Sequence, residues 1–283
     1  MDLGLKGKVA IVTGTNRRGA MGAAIATTLA KEGADIACVD VVFPGAQDVA
    51  KAVQSLGGKA IAYKTDQSDY QQVKDTVAKI RAEMGPPEIL INNAATLKGG
   101  GRIEKTAVDD WKNSIAIDLN GPWFWIREVW DSMVEKKYGR IINISSIAGT
   151  HGGFGQAMYS SAKGGIISLA KTAALEGARV GITANAVTLG VIAKTDEWPE
   201  GIPLEDAPPP TAVRPGPGGP PGQAPPQRQP GGTFDRIKMV IAMREYGEPA
   251  DVANLVAYLC SRQAKYITGQ DVHVMGGLDL FTY

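Results

Sequence analysis

The sequence predicts a doubly wound α/β fold, in which helices cover both faces of a parallel sheet of about seven strands. Short apolar runs alternate with longer amphipathic patterns along the chain, and such alternation is typical of this class. Most of the runs are apolar on both faces, as the strands of a buried parallel sheet are. With 283 residues, of which 44% are hydrophobic, we expect a single domain over residues 1–283.

Seven strands and six helices are predicted in alternating order. The strands are expected at 8–13, 35–40, 60–64, 88–92, 140–145, 182–187 and 271–275. The helices are expected near 20–32, 46–57, 69–84, 107–137, 157–179 and 248–262. Right-handed crossovers bring the carboxyl ends of parallel strands to one edge of the sheet, so functional residues are expected there.

The composition excludes several classes of protein. Lys plus Arg number 30 and Asp plus Glu number 29, so the chain lacks the basic excess that nucleic-acid binding requires. No apolar run reaches the ~18–20 residues of a bilayer span, and the first residues lack the layout of a secretory signal. Two cysteines, Cys38 and Cys260, and two histidines are too few for a disulfide framework or a His-ligated metal site. We therefore expect a cytoplasmic protein with reduced thiols, no metal, and no membrane or nucleic-acid partner.

Residues 196–233 interrupt the alternating pattern. They hold 12 of the 17 prolines and almost no periodic apolar residues. This composition predicts a long Pro/Gly-rich insertion within the domain rather than a linker between two domains. A long loop inside a compact domain is usually functional or disordered, and both interpretations stay open on composition alone.

A glycine-rich turn follows the first predicted strand. Glycines at such a turn let the pyrophosphate of a dinucleotide lie against bare backbone at a helix N-terminus, whose dipole favours negative charge. The pattern T-G-x4-G-x2-G is two residues longer than the T-G-x3-G-x-G expected for such a turn. A strand, turn and helix without a ligand is the alternative interpretation. The cofactor contacts predicted here are Gly14, Asn16, Arg18, Gly19, Met21 and Gly22.

Asp40 ends the second predicted strand and bears on the choice of cofactor. A carboxylate there can accept hydrogen bonds from the ribose hydroxyls of NAD(H) and repels the 2′-phosphate of NADP(H). Arg17 and Arg18 in the glycine-rich turn either pair with that phosphate or form a solvated loop tip. On balance the sequence favours NAD(H), with NADP(H) as the alternative.

Three residues near the middle of the chain predict a catalytic group. Tyr159 and Lys163 are four residues apart at the start of a predicted helix, which puts both on one face. Ser146 follows a predicted strand 13 residues before Tyr159. The ordinary pKa of a tyrosine is ~10, so acid–base chemistry near neutral pH needs help from a neighbouring ammonium group. A serine hydroxyl can position a carbonyl or alcohol beside the phenol.

Several motifs, in this order along the chain, resemble the short-chain dehydrogenase/reductase family. Besides the glycine-rich turn, Ser146 and YSSAK, they are KTDQSD with Asp66, NNAA at 92–95, NAVTLGVI at 185–192 and YITGQDVHVMGG at 266–277. The resemblance covers the whole chain except the insertion, and it fits the oxoacyl-carrier-protein reductases and the NAD-dependent alcohol dehydrogenases equally well. It implies a Rossmann fold and further cofactor contacts at Asp66, Gln67, Asn92, Ala94, Tyr159, Lys163, Gly190 and Ile192.

The resemblance also implies a mechanism. In the family the tyrosine donates or accepts the proton, the lysine lowers the pKa of that tyrosine and holds the nicotinamide ribose, and the serine steadies the substrate oxygen. These roles fall on Tyr159, Lys163 and Ser146 of an NAD(H)-dependent oxidoreductase that interconverts a secondary alcohol and a ketone by hydride transfer. The alternatives are a nucleotide-binding scaffold protein without turnover, and a lyase or epimerase on the same fold.

Some residues depart from the family pattern. The family has an Asn that holds a proton-relaying water, and at the matching position this sequence has Asp118. The nearby Asn120 lies about 200° further round a helix, so it cannot take the place of the family's Asn. We expect Asp118 to favour charged Lys163, so that activity is retained with an altered pH profile; the alternative is an Asp118 that points elsewhere. Leu189 stands at a usual Pro, and Met275 at the Asp of the closing motif.

The substrate side is expected between Ser146 and Tyr159 and in the loop after Gly190. In the family the region of residues 196–233 folds over the substrate as a lid. Here it forms either an enlarged cover for a bulky or apolar substrate or a disordered surface excursion. The predicted substrate contacts are His151, Phe154, Gln156 and Trp198.

Trp123, Trp125 and Trp130 share one predicted helix. Trp123 and Trp130 lie on one face and Trp125 lies off it. The tryptophans are buried either in the core of their own chain or against a second subunit. In dimers and tetramers of the family, the corresponding helices pack against another subunit. We expect a homotetramer, with a dimer as the alternative.

Overall fold

A seven-stranded sheet forms the centre of the structure, a computed structural model that describes residues 2–17, 19–193 and 238–280. Arg18, Trp198 and the whole predicted insertion at 196–233 lie outside the described residues. The strands are β1 Val9–Thr13, β2 Asp35–Asp40, β3 Ala60–Lys64, β4 Pro87–Asn92, β5 Gly139–Ser146, β6 Ile182–Leu189 and β7 Asp271–Val274.

All seven strands are parallel, in the order β3-β2-β1-β4-β5-β6-β7, which confirms the predicted fold class. The strand order reverses between β1 and β4, so a crevice is expected at the carboxyl ends of these two strands. β5 and β6 extend further than predicted and pair up to Ser146 beside Leu189. Their length carries Ser146 to the carboxyl edge of the sheet.

The helices connect and cover the strands. Those that lie wholly within the described residues are α1 Met21–Lys31, α2 Phe43–Ser55, α3 Tyr70–Glu83, α4 Val108–Ile115, α5 Gly121–Lys136, α6 Ile147–His151, α7 Ala157–Gly177 and α8 Pro249–Cys260. The helix predicted at 107–137 is helical over nearly its whole length, but the π-helical turn Ala116–Asn120 separates α4 from α5. The short helix α6 was not predicted, because five residues show no periodicity.

Apolar side chains pack the helices onto both faces of the sheet. Ile25 of α1 and Val256 of α8 lie in the core of one face, and Trp125 of α5 lies in the core of the other. Successive residues of β1 contribute to different cores, Ile11 to the second and Val12 to the first. This alternation follows from the strand geometry and explains why the strand reads as apolar on both faces.

The three tryptophans of α5 divide between core and surface. Trp125 is fully buried, Trp130 packs partly buried against the same core, and Trp123 is 46% exposed. Burial in the core of the same chain is therefore the outcome for Trp125 and, in part, for Trp130, whereas Trp123 keeps a substantial exposed face.

The cysteines are buried free thiols, as expected. Burial raises the pKa of both Cys38 and Cys260 to about 12, so both stay protonated at neutral pH. Among the residues that the structure describes, none of the helices combines the length and the apolar character that crossing a membrane requires.

Candidate active site

A cleft of about 660 Å³ opens at the carboxyl edge of the sheet, where the strand order reverses. Its walls come from the turns after β1, β2, β3 and β4, and Tyr159 of α7 also lines it. Of the predicted cofactor contacts, those that line the cleft are Gly14, Asn16, Met21, Gly22, Asp40, Asp66, Gln67, Ala94 and Tyr159.

The glycine-rich turn fits tightly against the segment after β4. A Cβ at Gly22 would lie 2.2 Å from the carbonyl oxygen of Gly14, and one at Gly14 would lie 2.7 Å from Nδ2 of Asn93. The Asn93 amide holds this contact by donating to the carbonyl oxygen of Thr13 at 2.8 Å. Gly14 and Gly19 also have positive φ angles of 77° and 67°, which favour glycine.

The first turn of α1 forms part of the cleft wall. Its N-cap is Ala20, which provides no side-chain hydrogen bond to the helix, and Ala20, Met21 and Gly22 all line the cleft. The side chain of Ala20 therefore does not occupy the N-terminus of α1, where the helix dipole favours an anion. A pyrophosphate group fits this bare, glycine-lined cradle.

Asp40 lies at the end of β2 on the same cleft. One of its carboxylate oxygens accepts hydrogen bonds from Nδ2 of Asn16 at 3.1 Å and from the backbone N–H of Val42 at 2.8 Å. Burial raises the pKa of Asp40, although these hydrogen bonds act in the opposite direction. Arg17 is exposed and does not line the cleft.

The turn after β3 is fixed by its own hydrogen bonds. The Asp66 carboxylate accepts from the hydroxyl of Ser68 at 2.7 Å, and Nε2 of Gln67 donates to the carbonyl oxygens of Ile117 at 2.8 Å and Ala94 at 3.2 Å. Gln67 thus ties the β3 turn to the π-helical turn and to the segment after β4.

Asn92 lies away from the cleft, although it was predicted to contact the cofactor. Its amide donates to Oδ1 of Asn143 at 2.9 Å inside the sheet, and its own Oδ1 has no hydrogen-bond partner within the described part of the chain. The neighbouring Asn93 lines the cleft instead. Strand alternation is the signal that separates these two asparagines, because adjacent residues face opposite ways.

Ser146, Tyr159 and Lys163 come together at the end of β5 and the start of α7, as predicted. The Ser146 hydroxyl accepts from the backbone N–H of Ala148 at 3.2 Å and lies near enough to Tyr159 to lower the pKa of its phenol. The Lys163 Nζ lies 5.7 Å from the centre of the Tyr159 ring and donates to the carbonyl oxygen of Ile144 at 2.7 Å. A Cβ at Gly149 would lie 2.6 Å from the backbone of Lys163, so a glycine is needed for α6 to pack this closely.

Asp118 is fully buried in the π-helical turn. Its two oxygens accept from the backbone N–H of Thr96 at 2.8 Å and from the hydroxyl of Ser114 at 3.2 Å. It also interacts electrostatically with Lys163. Asn120 is exposed, so the structure supports the expectation that this residue does not take the place of Asp118.

Burial dominates the electrostatics of this group. It lowers the pKa of Lys163 to about 8, while the Asp118 carboxylate acts in the direction expected from the sequence and raises it. Burial also raises the pKa of Tyr159, and Asp118 adds to that increase, whereas the neighbouring Ser146 hydroxyl lowers it. The pKa of Tyr159 is therefore raised overall, whereas the resemblance implies that it is lowered. Burial of the phenol outweighs the effect of Ser146. Asp118 itself has a raised pKa, again mainly through burial.

Gly190 and Ile192, the predicted contacts after β6, lie outside the lining of the cleft. Gly190 donates its N–H to the carbonyl oxygen of Val274, and a Cβ there would lie 3.0 Å from the backbone of Met275. Ile192 pairs with Gly247 as an isolated bridge. The buried Met275 therefore packs against the chain where Gly190 leaves the sheet.

The predicted substrate contacts within the described residues are exposed. His151 shares a hydrogen bond of 2.8 Å between its Nδ1 and the hydroxyl of Thr150. Phe154 is 87% exposed, with the Arg102 guanidinium 5.6 Å from its ring centre. Gln156 is the N-cap residue of α7. These three residues lie in the segment that separates Ser146 from Tyr159, beside the catalytic group.

Comparison with known proteins defines the class of this protein. A family model described as short chain dehydrogenase matches residues 8–200, and one described as Enoyl-(Acyl carrier protein) reductase matches residues 212–279. The chain belongs to the short-chain dehydrogenase family. It is an oxidoreductase that acts on CH–OH or C=O groups with a nicotinamide dinucleotide.

Two groups of curated relatives are similar to it over nearly their whole length. An acetoacetyl-CoA reductase of Shinella zoogloeoides is 34% identical over 270 residues, which cover 95% of this chain and 98% of the relative. A 3-oxoacyl-(acyl-carrier-protein) reductase FabG of Staphylococcus epidermidis is 32% identical over 277 residues, which cover 96% of this chain and 98% of the relative.

Proposed function

We propose that this enzyme interconverts a ketone and a secondary alcohol with NAD(H), and that a 3-oxoacyl thioester is its substrate in the reductive direction. The observation that carries the proposal is the group of Ser146, Tyr159 and Lys163 beside a cleft that fits a dinucleotide. The substrate class is taken from the names of the acetoacetyl-CoA and 3-oxoacyl reductases that are similar to the chain.

Each residue of the group has a distinct task. The Tyr159 phenol donates its proton to the ketone oxygen, and the hydroxyl of the neighbouring Ser146 holds that oxygen in place. Lys163 is charged below a pH of about 8 and stabilises the phenolate that remains. The bound nicotinamide supplies the hydride.

The proposed preference for NAD(H) rests on Asp40. This carboxylate lines the cleft, whereas the exposed Arg17 does not. A fluorescence titration with NADH and NADPH compares wild type, Asp40→Ala and Asp35→Ala, a matched control at the other end of β2. We expect NADH to bind at least tenfold tighter than NADPH, and we expect only Asp40→Ala to lose that preference. Tighter binding of NADPH by wild type would overturn the assignment.

The reaction is tested by measuring the oxidation of NADH with acetoacetyl-CoA and by identifying the product by mass. We expect a product two hydrogens heavier than the substrate, and we expect none with Tyr159→Phe. NADH binding without turnover of any ketone would favour the scaffold protein. An altered product without net NADH oxidation would favour a lyase or epimerase.

We also propose that the chain forms one domain and assembles as a cytoplasmic homotetramer. Trp123 and Trp111 are 46% and 41% exposed, and large exposed apolar side chains such as these support an interface with a second subunit. Light scattering after size-exclusion chromatography distinguishes a tetramer from a dimer or a monomer.

A further inference from the structure

A second cavity, of about 620 Å³, lies at the amino-terminal edge of the sheet. Arg140, the second residue of β5, lines it together with Ile182 and Thr183, the first two residues of β6. Ser146 ends β5 six residues after Arg140, a distance of roughly 20 Å along a strand. The cavity is therefore separate from the cleft that holds the catalytic group.

The lining of this cavity is strongly cationic, and we call it the basic pocket. Its charged side chains are Lys137, Arg140, Arg262 and Lys265. Among the described residues that line it, none is an aspartate or a glutamate. Four positive charges around one concave surface attract an anion.

Arg140 is only 3% exposed, and the described groups that contact its guanidinium directly are neutral. Its Nε and Nη1 donate to the carbonyl oxygens of Ser261 at 3.2 Å and Gly139 at 2.7 Å. The Tyr138 ring centre lies 4.1 Å from the guanidinium carbon. Burial and the neighbouring Arg262 both lower the pKa of Arg140. A buried cation in this situation gains stability when an anion occupies the pocket.

The nearby Glu88 does not neutralise this charge. Glu88 interacts electrostatically with Tyr138, which lines the basic pocket. The Glu88 carboxylate already forms an ion pair of 2.9 Å with Lys8. The pocket therefore keeps its positive excess.

Thr183 provides an independent indication of a ligand. It lines the basic pocket, is 6% exposed, and its Oγ1 has no hydrogen-bond partner among the described residues. Buried hydroxyls in proteins are normally paired, and this one can donate to an oxygen of a bound anion.

We propose that the basic pocket binds a small molecule that carries a phosphate monoester or pyrophosphate group. Four cations exceed what a single carboxylate requires, and the planar fork of an arginine matches two phosphate oxygens at once. This proposal does not depend on the proposed reaction, because the pocket and the active-site cleft lie at opposite edges of the sheet.

Isothermal titration with inorganic pyrophosphate in low-salt buffer tests the site. Arg262→Gln/Lys265→Gln removes two exposed cations of the pocket, and Lys74→Gln/Lys79→Gln removes two exposed cations of α3 as a matched control. We expect at least tenfold weaker binding for the first pair and a change below twofold for the second. We also expect the wild-type affinity to fall as salt is added.

A third variant, Thr183→Val, keeps the shape of the side chain and removes the unpaired hydroxyl. We expect it to bind pyrophosphate at least threefold more weakly without a fall in melting temperature. Titrations are repeated with NADH present, because the glycine-rich turn can also take a pyrophosphate. No binding by wild type in the presence of NADH, or equal weakening by both pairs of substitutions, would overturn the proposal.

Discussion

Replacing Asp118 by Asn tests the electrostatic account of the active site. The amide has the same shape, and its oxygen can still accept from the N–H of Thr96. The charge that raises the pKa of Lys163 is lost, and so is the charge that raises the pKa of Tyr159. Both pKa values therefore fall, and the alkaline limb of the pH–rate profile moves to lower pH.

The size of the shift follows from the distance between the charges. Two unit charges 4 Å apart interact by about 4 kcal/mol at an effective dielectric constant of ~20. Asp118 and Lys163 do not form a direct ion pair within the described part of the chain. The interaction is therefore weaker than this value, and we expect a shift of about one pH unit, which corresponds to ~1.4 kcal/mol. In wild type the limb is expected near the Lys163 pKa of about 8.

The assay is kcat/KM for reduction of acetoacetyl-CoA between pH 6 and pH 10. Asp109→Asn is the control, because it makes the same chemical change at an exposed position of α4. We expect its profile to match that of wild type. An Asp118→Asn profile that superimposes on wild type, or one whose alkaline limb moves to higher pH, would refute this reasoning.

Three further substitutions give distinct outcomes. Tyr159→Phe should abolish ketone reduction and leave the NADH dissociation constant within about threefold of wild type, measured by fluorescence, since only the phenol hydroxyl is lost. Gly22→Ala should abolish NADH binding in the same titration, because its Cβ would lie 2.2 Å from the carbonyl oxygen of Gly14. Trp125→Ala should lower the free energy of unfolding by about 3–5 kcal/mol in urea titrations, whereas the control Leu175→Ala, at a position that is 82% exposed, should change it by less than about 0.5 kcal/mol.

The fold could be predicted from the sequence because its signals are local. Most of the strands are buried on both faces, and each of these is therefore a short run of apolar residues. Such a run can be recognised in the sequence without knowing which strands pair with it. The boundaries of β5 and β6 were harder to predict. Ser146 and Leu189 pair at the ends of these strands, and pairing depends on the partner strand rather than on the residues themselves.

The position of Tyr159 beside Lys163 could be predicted for a related reason. Tyr159 and Lys163 are held together by helix geometry, so their spacing in the sequence already places them on one face. The neighbours Asn92 and Asn93 show what spacing in the sequence leaves open. Both residues carry the same side chain, and only the direction of each one relative to the sheet separates the buried residue from the cleft residue.

The environment of Asp118 depends on contacts that no spacing rule supplies. Its carboxylate accepts an N–H from Thr96, which follows β4, and a hydroxyl from Ser114 one turn earlier. Thr96 lines the cleft, so the same carboxylate supports the cleft wall and sets the charge around Lys163. A neutral amide can provide the first function but not the second. The pH profile of Asp118→Asn therefore separates the two functions, because loss of the wall contact would lower the rate at every pH, whereas loss of the charge moves the alkaline limb.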